Sequence, residues 1–146
     1  MKNIIKRVFT LFICLLMLNC TAFASDNISP QSSEYIFGTH ANMKAGNNGE
    51  LIISFWVSSP ATMTTLGASS IDIYCGHGLS AMWIDTIYAS DPTDEEMLGN
   101  GTYHSCDVTY QGTIGYEYYA KIHFVASNNT GGDSITRTTP SVIAKK

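Results

Sequence analysis

Alternating apolar and polar side chains over residues 116–127 are the feature that most constrains this fold. Because successive side chains of a β-strand point to opposite faces, the alternation predicts a strand with one buried face. A one-residue slip would bury Glu117 and Lys121 without partners, so the register is well specified. The predicted inward residues are Tyr116, Tyr118, Ala120, Ile122, Phe124 and Ala126.

Residues 50–58 repeat this pattern and turn their apolar side chains to one face: Leu51, Ile53, Phe55 and Val57. Further strands are predicted near residues 34–43, 69–75, 82–89, 103–110 and 135–143, with Asn- and Gly-rich reversals between several of them. Residues 91–99 are expected to form a single helical turn, with Pro92 at its first position and Gly99 at its end. About seven short strands at this spacing predict an all-β antiparallel sandwich.

The N-terminus has the pattern of an export signal. Lys2, Lys6 and Arg7 precede a short apolar run, and Ala22-Phe23-Ala24 supplies the small residues of a cleavage site. The apolar run is about half the ~20 residues that span a bilayer. We therefore predict a signal peptide over residues 1–24, a lead-in over 25–33 and a single β-sandwich domain over 34–144. Lipidation of Cys20 is an open alternative.

Charge disfavours two classes of partner. Loss of the three basic residues of the signal changes the formal net charge from −4 to −7. Nucleic acids and anionic membranes both reward clustered Lys and Arg. The sequence thus predicts a secreted, extracellular protein with no nucleic-acid partner and no membrane association after cleavage.

Residues 116–122 and 127–134 resemble the last two strands of fibronectin type III modules, in which an alternating strand with tyrosine precedes an Asn-Gly-Ser turn. Leu51, Ile53 and Phe55 are similar to the second strand of those modules. The resemblance implies an immunoglobulin-like or fibronectin type III-like antiparallel sandwich of about seven strands.

A second resemblance rests on residues 28–36, 66–74 and 104–112. These stretches are similar to a family of small exported proteins of Gram-positive bacteria, a domain of unknown function. The resemblance implies a secreted immunoglobulin-like sandwich, and it supplies no catalytic residues.

Two cysteines remain once the signal is removed, Cys75 and Cys106. Alternation turns both toward the core, and two buried thiols in an exported chain normally form a disulfide. Two reduced thiols are a second possibility. A metal site built from Cys75, His77, His104 and Cys106 is a third, although two to four residues usually separate paired zinc ligands.

Enzymatic signals are sparse. The sequence has no Gly-x-Ser-x-Gly nucleophile turn and no Gly-rich phosphate loop between a strand and a helix. We therefore predict a non-catalytic module that needs no cofactor and binds an extracellular protein or glycan, with a secreted hydrolase as the alternative. Alternation places Tyr74 and Tyr119 outward, and with Trp83 they form the candidate binding face.

Overall fold

The computed structural model describes residues 33–91 and 95–146, which lie in one compact unit over residues 33–146. Their fold is all-β, as predicted, and is built from one curled antiparallel sheet of seven strands. The predicted signal peptide, residues 1–24, lies outside the described residues, as does the lead-in up to residue 32. The strands are β1 Gly38–Ala45, β2 Glu50–Cys75, β3 Met82–Tyr88, β4 Leu98–Gln111, β5 Glu117–Asn128, β6 Gly131–Thr138 and β7 Val142–Ile143.

The long strand β2 organises the sheet. Its first half pairs with β1 and β4, and its second half pairs with β3 and β5. The sequence predicted two separate strands here, 50–58 and 69–75. The chain instead stays extended between them, and Met63, Leu66 and Gly67 pair with the start of β4 after a register shift.

One half of the curled sheet contains β1, β4 and the first part of β2, and the other half contains β3, β5, β6 and the second part of β2. Buried side chains from both halves form the core. The rings of Phe55 on β2 and Phe124 on β5 meet edge to face, with centroids 5.6 Å apart and planes at 76°. Both predicted alternations are confirmed except at Tyr116, which is 58% exposed because β5 begins at Glu117 and Tyr116 closes the preceding turn. The largest fully buried side chains are Phe124, Leu51, Ile53, Met63, Leu66, Ile71, Ile73, Met97, Ile122 and Val57.

Among the residues that the structure describes, helical structure is limited to two short 3-10 turns, Gly78–Ser80 and Glu95–Met97. The second lies within the predicted turn of residues 91–99 and leads directly into β4, with Met97 buried in the core. Within the described ranges, no helix is long and apolar enough to cross a membrane.

Candidate functional site

Strand register brings the three predicted aromatic residues into one line, the aromatic row, defined here as Trp83, Tyr74 and Tyr119. Tyr74 on β2 pairs with Tyr119 on β5 on one side and with Trp83 on β3 on the other. A register shift between Ile73 and Tyr74 sets the partner on β3. The side-chain pattern of residues 82–89 does not define a register by itself, so the pairing of β2 with β3 decides where Trp83 lies.

Contacts within the row hold its rings in place. Tyr74 and Tyr119 stack, with ring centroids 4.9 Å apart and planes only 4° from parallel. The ammonium of Lys121 lies 4.7 Å from the centroid of the Tyr74 ring. Trp83 is 60% exposed, and its Nε1 donates a 3.0 Å hydrogen bond to Oγ1 of Thr86. The row is therefore a partly exposed aromatic surface with fixed side chains.

A chain of hydrogen bonds, the polar network, begins beside the row. Thr86 Oγ1 donates to Asp72 Oδ1 over 2.7 Å, and the other carboxylate oxygen lies 2.8 Å from Nε2 of His123. The second ring nitrogen of His123, Nδ1, lies 3.0 Å from Oγ1 of Thr136. Nε2–H of His123 can donate to Asp72 in either protonation state of the ring. Nδ1 accepts from the Thr136 hydroxyl when the ring is neutral and donates to it when the ring is charged.

The electrostatics of Asp72 follow from this network. Partial burial by itself raises the pKa of the Asp72 carboxyl, but hydrogen bonds from His123 and Thr86 and the charges of His123 and Lys121 outweigh it. The pKa of Asp72 is therefore held below its ordinary value. The carboxylate stays ionised and acts as the fixed acceptor of the network.

A shallow groove adjoins the aromatic row on the same outer surface. It encloses about 480 Å³ and lies over β2, β3, β5 and β6. Asp72, His123 and Thr136 form part of its wall. The lining residues are Ser69, Ser70, Asp72, Thr86, Tyr88, His123, Phe124, Val125, Ser134, Ile135 and Thr136.

The four residues of the alternative metal site are not brought together. The imidazole of His77 is 85% exposed and pairs with Glu117 over 2.8 Å, whereas His104 Nε2 lies 2.8 Å from the carbonyl oxygen of Glu96. In residues 33–91 and 95–146, no group of three or more His, Cys, Asp or Glu side chains could hold a metal ion.

The two cysteines are half-buried and pack against the core on different strands. Cys75 ends β2 opposite Met82 and Tyr118. Burial raises the pKa of the Tyr110 phenol, with smaller contributions from Asp85, Tyr118 and Cys75. Cys106 lies on β4 opposite Phe55. Their disulfide stays a prediction.

Sequence reasoning missed the polar network. Alternation did place His123 outward, but it gave no reason to connect that residue with Asp72 or Thr136. A second aromatic stack was missed too, on the outer surface of the other half of the sheet. There Trp56 stacks between His40 and Tyr103, with centroid distances of 6.0 and 6.2 Å. Both arrangements join residues that are far apart in the chain, and a local sequence pattern cannot predict such contacts.

Two comparisons with known proteins found no match. No protein-family model matches the chain, and the search of curated proteins gives no match. The candidate site therefore rests on its own geometry.

Proposed function

We propose that this protein is a secreted, non-catalytic module that binds an extracellular protein or glycan through the aromatic row. The observation that carries the proposal is the register that aligns Trp83, Tyr74 and Tyr119 across three neighbouring strands. Large aromatic side chains lose little conformational entropy on binding and commonly dominate interface energetics. The proposed export rests on the charged, apolar and Ala-x-Ala pattern of residues 1–24.

The fold that carries the row is proposed to be an immunoglobulin-like or fibronectin type III-like sandwich. Support comes from the packing of Phe55 against Phe124 across the core. The hydrogen bond from Arg137 Nε on β6 to Thr39 Oγ1 on β1 is further support, because it links strands of the two halves over 2.9 Å. A sandwich presents each sheet's outer surface to solvent, as a recognition module requires.

Replacing Tyr74 and Tyr119 together by alanine tests the proposal. We expect the double variant to lose at least about ten-fold in affinity for whole cells, since truncated aromatic anchors cost 2 kcal/mol or more. The stack contributes about 0.5 to 1.5 kcal/mol of its own, so the melting temperature should fall by less than about 10 °C. Flow cytometry with labelled protein measures the first quantity and differential scanning fluorimetry the second.

A matched double variant is Tyr103→Ala with Tyr116→Ala. These tyrosines are 56% and 58% exposed and lie outside the aromatic row. The control should bind cells like the wild type. Equal binding by all three proteins would refute a role for the row.

One observation favours a secreted hydrolase as the second candidate. Thr136, His123 and Asp72 are joined in the order hydroxyl, imidazole and carboxylate that serves nucleophilic catalysis in hydrolases. We rank this function lower, because Thr136 is paired with His123 in the regular β5–β6 ladder and the contact is an ordinary cross-strand one. Turnover of chromogenic esters that is lost in His123→Gln and kept in the double tyrosine variant would establish the hydrolase instead.

A further inference from the structure

We infer that the ligand of the aromatic row is a neutral oligosaccharide and that the adjoining groove holds its neighbouring sugar unit. This inference rests on the proposed function and narrows it to one class of ligand. Four features of the outer surface carry it: the size of the groove, its hydroxyl groups, the pairing of its charges and its continuity with the row.

The size of the groove favours a small ligand. Its volume of about 480 Å³ lies within the roughly 300 to 1,000 Å³ of small-molecule sites. A standard protein interface takes about 20 to 30 residues from each partner. The row and the groove together comprise fewer residues than that.

The chemistry of the lining suits a sugar. Hydroxyl groups both donate and accept hydrogen bonds, so hydroxyl side chains can match the hydroxyls on the rim of a sugar ring. The C–H face of the same ring is apolar and can pack against tyrosine or tryptophan. The hydroxyl side chains that line the groove are Ser69, Ser70, Thr86, Tyr88, Ser134 and Thr136.

The charged side chains of this surface already have partners within the protein. Asp72 is bonded to His123 and lies near Lys121, and Glu117 is bonded to His77. A charged ligand would have to compete with these pairs and would find little excess charge to complement it. A neutral ligand leaves every pair intact, so charge complementarity selects a neutral sugar.

The row and the groove form one continuous track. Asp72 lies two residues from Tyr74 on the same face of β2, which is a displacement of about 7 Å along the strand. His123 lies four residues from Tyr119 on the same face of β5. An extended ligand can therefore contact the row with one unit and the groove with the next.

Calorimetric titration of the secreted protein with hexasaccharides tests the inference. The probes are neutral β-1,4-linked glucose, mannose and N-acetylglucosamine hexamers, with a galacturonic acid hexamer as the anionic comparison. We expect at least one neutral hexamer to bind, and Thr136→Val to weaken that binding about 3- to 10-fold through loss of one hydroxyl. Binding of the anionic hexamer alone, or of none of the four, would overturn the inference.

Thr138→Val is the matched control, because Thr138 is exposed on the same strand and does not line the groove. It should bind the hexamer like the wild type, and equal weakening by both variants would contradict a groove subsite. If Thr136→Val fails to fold, Ser70→Ala tests the contribution of the groove to hexamer binding instead, because Ser70 also lines it. Failure of the inference stays distinct from failure of the proposed function: neutral hexamers would not bind, yet cell binding would still depend on Tyr74 and Tyr119.

Discussion

Asp72 shows how a single carboxylate links the site to the stability of the sheet. Its two oxygens accept hydrogen bonds from Thr86 and His123, which lie on the two strands that flank β2. Removing the charge would loosen both contacts at once. The thermal stability of the protein at acid pH therefore reports on the polar network.

We predict a pH dependence from this carboxylate. Because the pKa of Asp72 is lower in the folded protein than in the unfolded chain, ionised Asp72 stabilises the fold above about pH 4. This contribution is lost as the pH falls through the folded-state pKa. Thermal melts between pH 6 and pH 2 should show a shallower acid decline for Asp72→Asn than for the wild type.

Asp107→Asn is the comparison for that series, because Asp107 is an exposed carboxylate on β4. It should keep the wild-type slope. Asp133, whose pKa is lowered by the hydrogen bond from Ser33 and by backbone N–H groups, contributes equally to both variants and does not affect the comparison. Parallel curves for wild type and Asp72→Asn would contradict the role given to this residue.

At the scale of elements, two glycines allow β2 and β4 to pair where the register between them shifts. Gly67 on β2 has φ +153°, and a Cβ there would collide with the carbonyl oxygen of Met97. Gly101 on β4 also has a positive φ, of +109°, but a Cβ there would meet nothing within 4 Å. Comparing an alanine variant at each of the two glycines therefore distinguishes the cost of backbone strain from the cost of a steric collision.

We predict that Gly67→Ala lowers the free energy of unfolding by at least about 3 kcal/mol, through strain and collision together. Gly101→Ala should cost only about 1 to 2 kcal/mol, from the left-handed backbone alone. Urea denaturation followed by tryptophan fluorescence measures both. Equal losses in the two variants would show that close packing of Gly67 against Met97 is not what requires glycine.

For the whole molecule, the disulfide prediction concerns the two halves of the curled sheet. A bond between Cys75 and Cys106 would close a loop of about 30 residues and stabilise the protein by roughly 3 to 4 kcal/mol, by restricting the unfolded chain. It requires the two Cα atoms to lie about 4.4 to 6.8 Å apart. We expect the linked peptides in a non-reducing map of the purified protein, and a lower melting temperature with reductant. Two alkylated thiols in that map would refute the bond.

The sequence by itself determined the buried faces of β5 and of the first half of β2, because their alternation is a local property of the chain. It also determined that Tyr74 and Tyr119 point outward. Those assignments needed only the two-residue repeat of a strand and the cost of burying a charge such as Lys121.

Only the tertiary structure decided which residues meet. The sequence predicted two strands where pairing with β4 keeps β2 continuous, and a register shift at Tyr74 sets Trp83 beside it. The link between Asp72 and His123 spans 51 positions of the chain. Such contacts depend on the register between distant strands, which is fixed by the packing of the whole core and not by any neighbouring residues.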